Sequence, residues 1–300
     1  MSIRTTHPIC CKDDSYGYRS YSFPAYSHLL NFEHNSKNII CCGLSIDEQP
    51  VGLALGYSDC EGGLTLLSLY IAPPFRRRGH AHWLLARWLD YAHNLGHSNV
   101  NITYMTKQNS SAAVAALLTR ADFDEPQLRN LIIQCSLQSV ATTPWLQAHR
   151  MPDNYQIVEW SDVNDEQKAE LQLSDNEEHW IDPELVPSLY ETNLEPLSSV
   201  ALLVDGKIRA WCLNHLIEGK LRFSCSFAHP KLQRLGRITH LFHHAYSAMP
   251  SIGVEVGIWT VSVERPRMFH FAQRHMIPYA SFHAETLGSH KNIGKINYIS

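Results

Sequence analysis

Three hundred residues, 44% hydrophobic and 18% charged, suffice for two domains of ordinary size, each with its own buried core. The formal charge of -4 carries no cationic excess, so neither nucleic acid nor an anionic membrane surface is expected as a partner. No stretch approaches eighteen uninterrupted apolar residues, and Met1 to Asp14 lacks the apolar run of a secretory signal. Eight cysteines without a CxxC spacing fit a reducing compartment, and a cytoplasmic protein is expected. Eighteen histidines include His80 and His82, His93 and His97, and the group His240, His243, His244. None has a carboxylate or thiol at ligand spacing, so no metal is expected.

In chain order, the polar turn Asp47-Glu48-Gln49 leads into Val51-Gly52-Leu53, and Leu64 to Ile71 reads as a strand ending at Pro73-Pro74. From Gly79 to Leu95 apolar residues recur at Ala81, Leu84, Leu85, Trp88, Ala92 and Leu95, the three-and-four spacing of an amphipathic helix, with Gly96 as its C-terminal cap. Asn99 to Thr106 alternates as a strand. Strand, turn, helix and strand in this order predict a βαβ unit with parallel pairing. Asn109-Ser-Ser-Ala-Ala then opens a second helix that closes near Asp122-Phe123.

Thr142 to Asp153, with Pro144 and Pro152, reads as the crossing between domains 1–141 and 155–300, the linker being 142–154. Tyr155 to Trp160 opens the second domain. Asp162 to Leu173 reads as a helix capped by Asp162, and Trp180 to Pro187 as irregular chain. Leu221 to Ala228 is a strand, Gln233 to Gly236 a turn, and Ile238 to Met249 a helix. Gly253 to Val263 is the closing strand, followed by Glu264 to Met268, where Pro266 interrupts the chain.

The two halves superimpose without gaps at a constant offset of 157 residues, as from Pro73 to Pro230, Arg76 to Gln233 and Gly79 to Gly236. Val51-Gly52-Leu53 falls on Ile208-Arg209-Ala210 in the same alignment. The chain is therefore expected to be a tandem duplication of one α/β unit.

The stretch with chemical content runs from Tyr70 to Leu85. A strand end, a short loop and a helix start bring free backbone N–H groups and the positive end of a helix dipole together, a site suited to a pyrophosphate. Gly79 permits close approach, Ala81 keeps the helix start uncrowded, and Arg76, Arg77 and Arg78 add charge that can pair with phosphate oxygens. Neither a GxxxxGK[ST] loop nor GxGxxG is present.

Arg76-x-x-Gly79-x-Ala81, between a strand and an amphipathic helix, resembles the acyl-CoA loop of the GNAT (Gcn5-related N-acetyltransferase) superfamily. The resemblance covers about Val51 to Phe123, and more loosely the matching part of the second copy. It implies an α/β fold of two tandem GNAT-like domains, each a bent mixed sheet flanked by helices. Its central parallel strands would splay apart to admit the pantetheine arm. It further implies an acyltransferase that uses acetyl-CoA as co-substrate and a small-molecule or protein amine as acceptor, the amine attacking the thioester directly. Backbone groups at Leu69, Tyr70 and Ile71 would pair with the pantetheine amides. Arg76, Arg77, Arg78, Gly79, His80 and Ala81 would hold the pyrophosphate, and Asn109, after the second strand, would also bind the coenzyme.

The sequence departs from the family pattern at the proton-transfer positions. On the strand where a carboxylate is usual stands Ser68, and Glu61 is the nearest acid. At the usual tyrosine position stands Leu118, which leaves Tyr104 as the substitute donor. In the second copy Arg237 and Ile238 replace the small residues of the loop, so the first copy is expected to bind the coenzyme. A catalytically silent acyl-CoA-binding or scaffolding protein is the alternative, and transfer of a longer acyl or aminoacyl group a third reading.

Overall fold

The computed structural model describes residues 3–32, 36–59, 63–146 and 151–294. Its strands are β1 (Arg4–Pro8), β2 (Ile39–Ile46), β3 (Gln49–Ser58), β4 (Leu64–Ile71), β5 (Asn99–Met105) and β6 (Gln127–Ser136). They continue as β7 (Tyr155–Glu159), β8 (Val200–Val204), β9 (Lys207–Ile217), β10 (Lys220–Ala228), β11 (Val256–Ser262) and β12 (Phe282–Asn292). The chain forms two compact units, one of Met1–Arg129 with Glu285–Ser300, the other of Asn130–Ala284.

In the first unit the strand order is β1-β2-β3-β4-β5-β12. Every ladder is antiparallel except β4 with β5, which is parallel as the βαβ pattern requires. The helix His80–Asn94 follows β4. It buries Leu84, Leu85, Trp88, Leu89 and Ala92 on one face of the sheet, against Ile40, Leu64, Leu66, Val100 and Ile102. On the other face, 3-10 turns over Tyr16–Tyr21 and Pro24–Asn31 bury Tyr18 and Leu30 against Cys41, Leu53 and Leu55. Leu95 is 52% exposed; the helix ends one residue earlier and Gly96, at φ +95°, turns the chain away.

In the second unit the order is β6-β11-β10-β9-β8-β7, with β10 and β11 the parallel pair. The helix Ile238–Ile252 buries Leu241, Phe242, Ala245, Tyr246 and Met249 on one face. The helix Asp165–Glu178 and the core of Trp160, Trp180 and Trp211 cover the other.

The duplication is visible in the geometry. The parallel pairs Leu64↔Val100 and Leu66↔Ile102 become Leu221↔Gly257 and Phe223↔Trp259 at the same 157-residue offset. Upstream the gapless alignment slips by one residue. Leu53 opposite Tyr70 corresponds to Trp211 opposite Phe227, not to Ala210, because the chain between these paired positions is one residue shorter in the second unit.

Three further expectations are corrected. The units do not divide at 142–154, because β5 pairs with the chain from Thr286 to Asn292 and β11 pairs with Asn130 to Ser136. The cap of the helix expected from Asp162 is Asn164, where a reciprocal capping box with Gln167 satisfies two backbone N–H groups. Pro266 does not break the chain; it opens the helix Pro266–Phe271 at the position where a missing N–H costs nothing.

Among the described residues no helix is long and apolar enough to cross a membrane. None of their His, Cys, Asp and Glu side chains gather three or more to hold a metal ion.

Candidate functional site

The sheet of the first unit opens where β4 and β5 part. Their ladder ends at Leu66↔Ile102, although β4 continues to Ile71 and β5 to Met105. A bulge at Leu67 marks the opening: the register with β3 passes from Gly56↔Leu66 to Leu55↔Ser68. Beyond it, Ala72 N–H donates to the Val51 carbonyl at 2.8 Å. By the two-residue alternation of a strand, the backbone of Tyr70 then also turns toward β3, and that of Leu69 and Ile71 turns toward the cleft. Leu69 and Ile71 are thus placed to pair with an extended ligand, and Tyr70 is not. The ring of Tyr70 lies on the face of Leu53 and stacks on Tyr21 at 5.3 Å.

At the mouth of this cleft the chain runs through a 3-10 turn, Pro73–Phe75, into the helix that starts at His80. Arg77 (φ 61°) and Gly79 (φ 80°) both take the left-handed conformation, and a Cβ at Gly79 would meet no atom within 4 Å. Alternating left-handed residues turn successive N–H groups to one side as an anion-binding concavity. Among the described residues, none of the six N–H groups from Arg77 to His82 has a hydrogen-bond partner; the next, of Trp83, donates to the Gly79 carbonyl at 3.1 Å. No side chain caps the helix. Unpartnered donors at the positive end of a fifteen-residue helix suit an anion.

The equivalent turn of the second unit is closed. N–H groups of Leu235, Gly236, Arg237, Thr239 and His240 all donate to carbonyls between Leu232 and Arg237, at 3.0 to 3.5 Å. Gly236 keeps the left-handed conformation (φ 64°), but the donors it should release are spent within the turn.

The first residue of the loop motif has a role that charge did not indicate. Arg76 Nε donates to the Ile71 carbonyl at 2.7 Å, and its guanidinium lies over the Tyr70 ring at 5.2 Å. In the second copy Gln233 Nε2 donates to the Ala228 carbonyl at 2.9 Å. Both bonds tie the loop to the last carbonyl of the preceding strand, so an arginine or a glutamine serves. Arg76 is therefore a loop tie as well as a charge at the turn, where it too is exposed. Arg77 and Arg78 are exposed at the open turn. Arg4, stacked on Trp83 at 4.2 Å, adds a cation that nothing in the sequence placed there. Burial, then the charges of Arg4 and Arg78, hold the His80 imidazole below the ordinary histidine pKa, and its Nδ1 is buried without a partner. Ala81 packs against the core below the helix.

Ser68 is 3% exposed and its Oγ has no partner. It shares the face of Leu55, on the side of the 3-10 turns. Tyr104, on the splayed end of β5, packs against the opposite face, and burial raises its pKa, which keeps its proton at neutral pH. The two candidates thus stand on the two arms of the cleft and on opposite faces of the sheet. Glu61 lies outside the described residues. Asn109 is exposed in the turn after β5, where Ser111 Oγ donates to the Met105 and Gln108 carbonyls. Tyr21, whose phenol donates to the Pro50 carbonyl, escaped the sequence because its contact with Tyr70 spans a long separation without a shared motif.

Residues 6–123 match the Acetyltransferase (GNAT) family. Over the whole chain, the structure is similar to a tandem GNAT protein of the clavulanic acid biosynthesis pathway, with a TM-score of 0.64 at 13% identity, covering 98% of this chain and 100% of that one. It is also similar to a GCN5-related N-acetyltransferase from Sphaerobacter thermophilus, with a TM-score of 0.58 at 15% identity, covering 97% and 96%. No curated protein matches the chain. Residues 6–123 are thus similar to the GNAT family, and the whole chain has the fold of a tandem two-domain GNAT protein. That family's chemistry is acyl transfer.

Proposed function

We propose that the chain transfers an acetyl group from acetyl-CoA to a primary amine, and that the first unit binds the coenzyme. The observation that carries this reading is the run of six unpartnered N–H groups from Arg77 to His82 at the mouth of the splayed β4–β5 pair. Pyrophosphate would occupy that turn, with Arg77 and Arg78 beside it, and the pantetheine arm would pair with the cleft-facing backbone of Leu69 and Ile71. The thioester would then lie between the arms, reachable by an amine from the face of Ser68.

The amine nitrogen attacks the thioester carbon, the C–S bond breaks, and the thiolate takes a proton from Tyr104. Ser68 is no base; its hydroxyl serves as a hydrogen-bonding station for the amine or for water that removes the ammonium proton. An unpaired buried hydroxyl costs about 1–3 kcal/mol, which a bound partner would recover. Positioning supplies the greater share of the rate, consistent with weak acid–base equipment.

The test is calorimetric titration with acetyl-CoA and with CoA. One site per chain is expected. Gly79→Glu, which puts bulk and negative charge into the turn, is expected to remove binding, and Gly236→Glu to leave it. No binding at millimolar ligand overturns the proposal, and loss of binding in Gly236→Glu alone moves the site to the second unit.

One observation favours a catalytically silent acyl-CoA-binding protein instead. The position that usually carries a proton-donating tyrosine is Leu118, 1% exposed in the core. Binding without thiol release across a panel of amines would select that reading.

A further inference from the structure

We propose that the second unit carries an independent serine–histidine acyl-transfer site, with Ser224 as nucleophile and His215 as its base, acting on activated acyl esters or thioesters.

Ser224 is the bulge residue of β10: the register with β9 passes from Phe223↔Asn214 to Cys225↔Leu213 and leaves Ser224 unpaired. The parallel ladder to β11 ends beside it, at Phe223↔Trp259, so the residue stands where the sheet opens. Bulges re-aim side chains at such places. Ser224 Oγ is 2.7 Å from His215 Nδ1, and His215 Nε2 is 2.9 Å from the Thr192 carbonyl oxygen. A carbonyl only accepts, so the proton of the neutral imidazole sits on Nε2, and Nδ1 offers its lone pair to the Ser224 hydroxyl. Nucleophile, base and a third group that orients the base are the arrangement of an activated serine. Both side chains are partly exposed, so an acyl donor can reach them.

The same face carries a cation for the charge that develops. Arg222 lies directly opposite His215 and is exposed, with no ion pair among the described residues. Arg265, the neighbouring cation felt by Tyr190 together with Arg222, is committed to Asp182 and Glu184. Arg222 is therefore the free charge available to an oxyanion.

In the reaction, Oγ attacks the acyl carbonyl and forms a C–O bond while its proton passes to His215 Nδ1. The bond to the leaving thiolate or alkoxide breaks, and that group takes the proton from His215. Water, deprotonated by the same nitrogen, then cleaves the acyl-serine to a carboxylic acid and restores the hydroxyl.

The experiment uses the full chain with p-nitrophenyl acetate and no coenzyme A, so its outcome is separate from that of the acyl-CoA proposal. The expected result is acetylation of Ser224, detected by peptide mass, or p-nitrophenolate release that depends on Ser224. Ser224→Ala is expected to abolish either signal. His215→Gln keeps a hydrogen-bonding side chain but takes no proton, and is expected to slow it at least about 100-fold. If Ser224 stays unmodified and no release depends on it, or if His215→Gln reacts at the wild-type rate, the contact is a structural cross-strand bond and the proposal falls.

Discussion

Arg76 and Gln233 close the same gap with different chemistry: each reaches back five residues to a strand-terminal carbonyl, at 2.7 and 2.9 Å. The neutral glutamine bond contributes about 0.5–1.5 kcal/mol net and the guanidinium bond about 1.5–3 kcal/mol, and each holds its turn in place. Arg76→Gln is therefore expected to bind acetyl-CoA within about threefold of wild type, and Arg76→Met about tenfold more weakly, as an interaction of about 1.4 kcal/mol requires. Calorimetric titration of both variants decides the matter; equal losses would return the role to charge. The sequence displayed the motif, but three consecutive arginines read as three equal charges. Only the bond from Arg76 Nε to the Ile71 carbonyl, beside the 3-10 turn at Pro73–Phe75, separates the tie from the other two. Ser68 was equally opaque. Its burial follows from the bulge at Leu67, which shifts the side-chain alternation of β4 and leaves no trace in composition.

At the scale of elements, the helix His80–Asn94 must be seated so that its N-terminus faces the cleft. Trp88 does this: fully buried, it donates from Nε1 to the Ile40 carbonyl at 2.9 Å and passes over Gly56. A Cβ at Gly56 would collide with the Trp88 ring and lie 3.0 Å from the Thr65 carbonyl, and neither can yield. Gly56→Ala is expected to destabilise the chain by about 1–3 kcal/mol, the usual cost of overpacking, read as a lowered thermal midpoint. A midpoint unchanged from wild type would show that the helix can lift. Strands β4 and β10, the helix after β4 and their parallel partners were legible because their periods and turn residues agree. The closed turn around Gly236 was legible only as a doubt. Arg237 and Ile238 look like crowding residues, whereas the structure closes the site by spending its N–H groups inside the turn.

At the scale of the molecule, a chain cut at the proline-rich segment 142–154 does not yield two domains. The stretch 1–141 lacks Thr286 to Asn292, the partner of β5, and so presents seven unpaired positions of a central strand to solvent. That fragment is expected to be insoluble or unfolded, and co-expression with 142–300 to rescue it. A soluble, cooperatively melting 1–141 would contradict this. Sequence periodicity could not supply the exchange, since nothing in the residues of β6 or β12 names the sheet each joins. The late arrival of β12 also sets an order of assembly. Residues 130 to 284 hold everything the second unit needs, whereas β5 waits for a partner that emerges about 190 residues after it. At ribosomal speeds that interval is roughly 10–40 seconds, during which the nascent first unit bears an open sheet edge. The half proposed to bind the coenzyme is thus the last to be completed, and a holding chaperone has a defined strand to cover until it is.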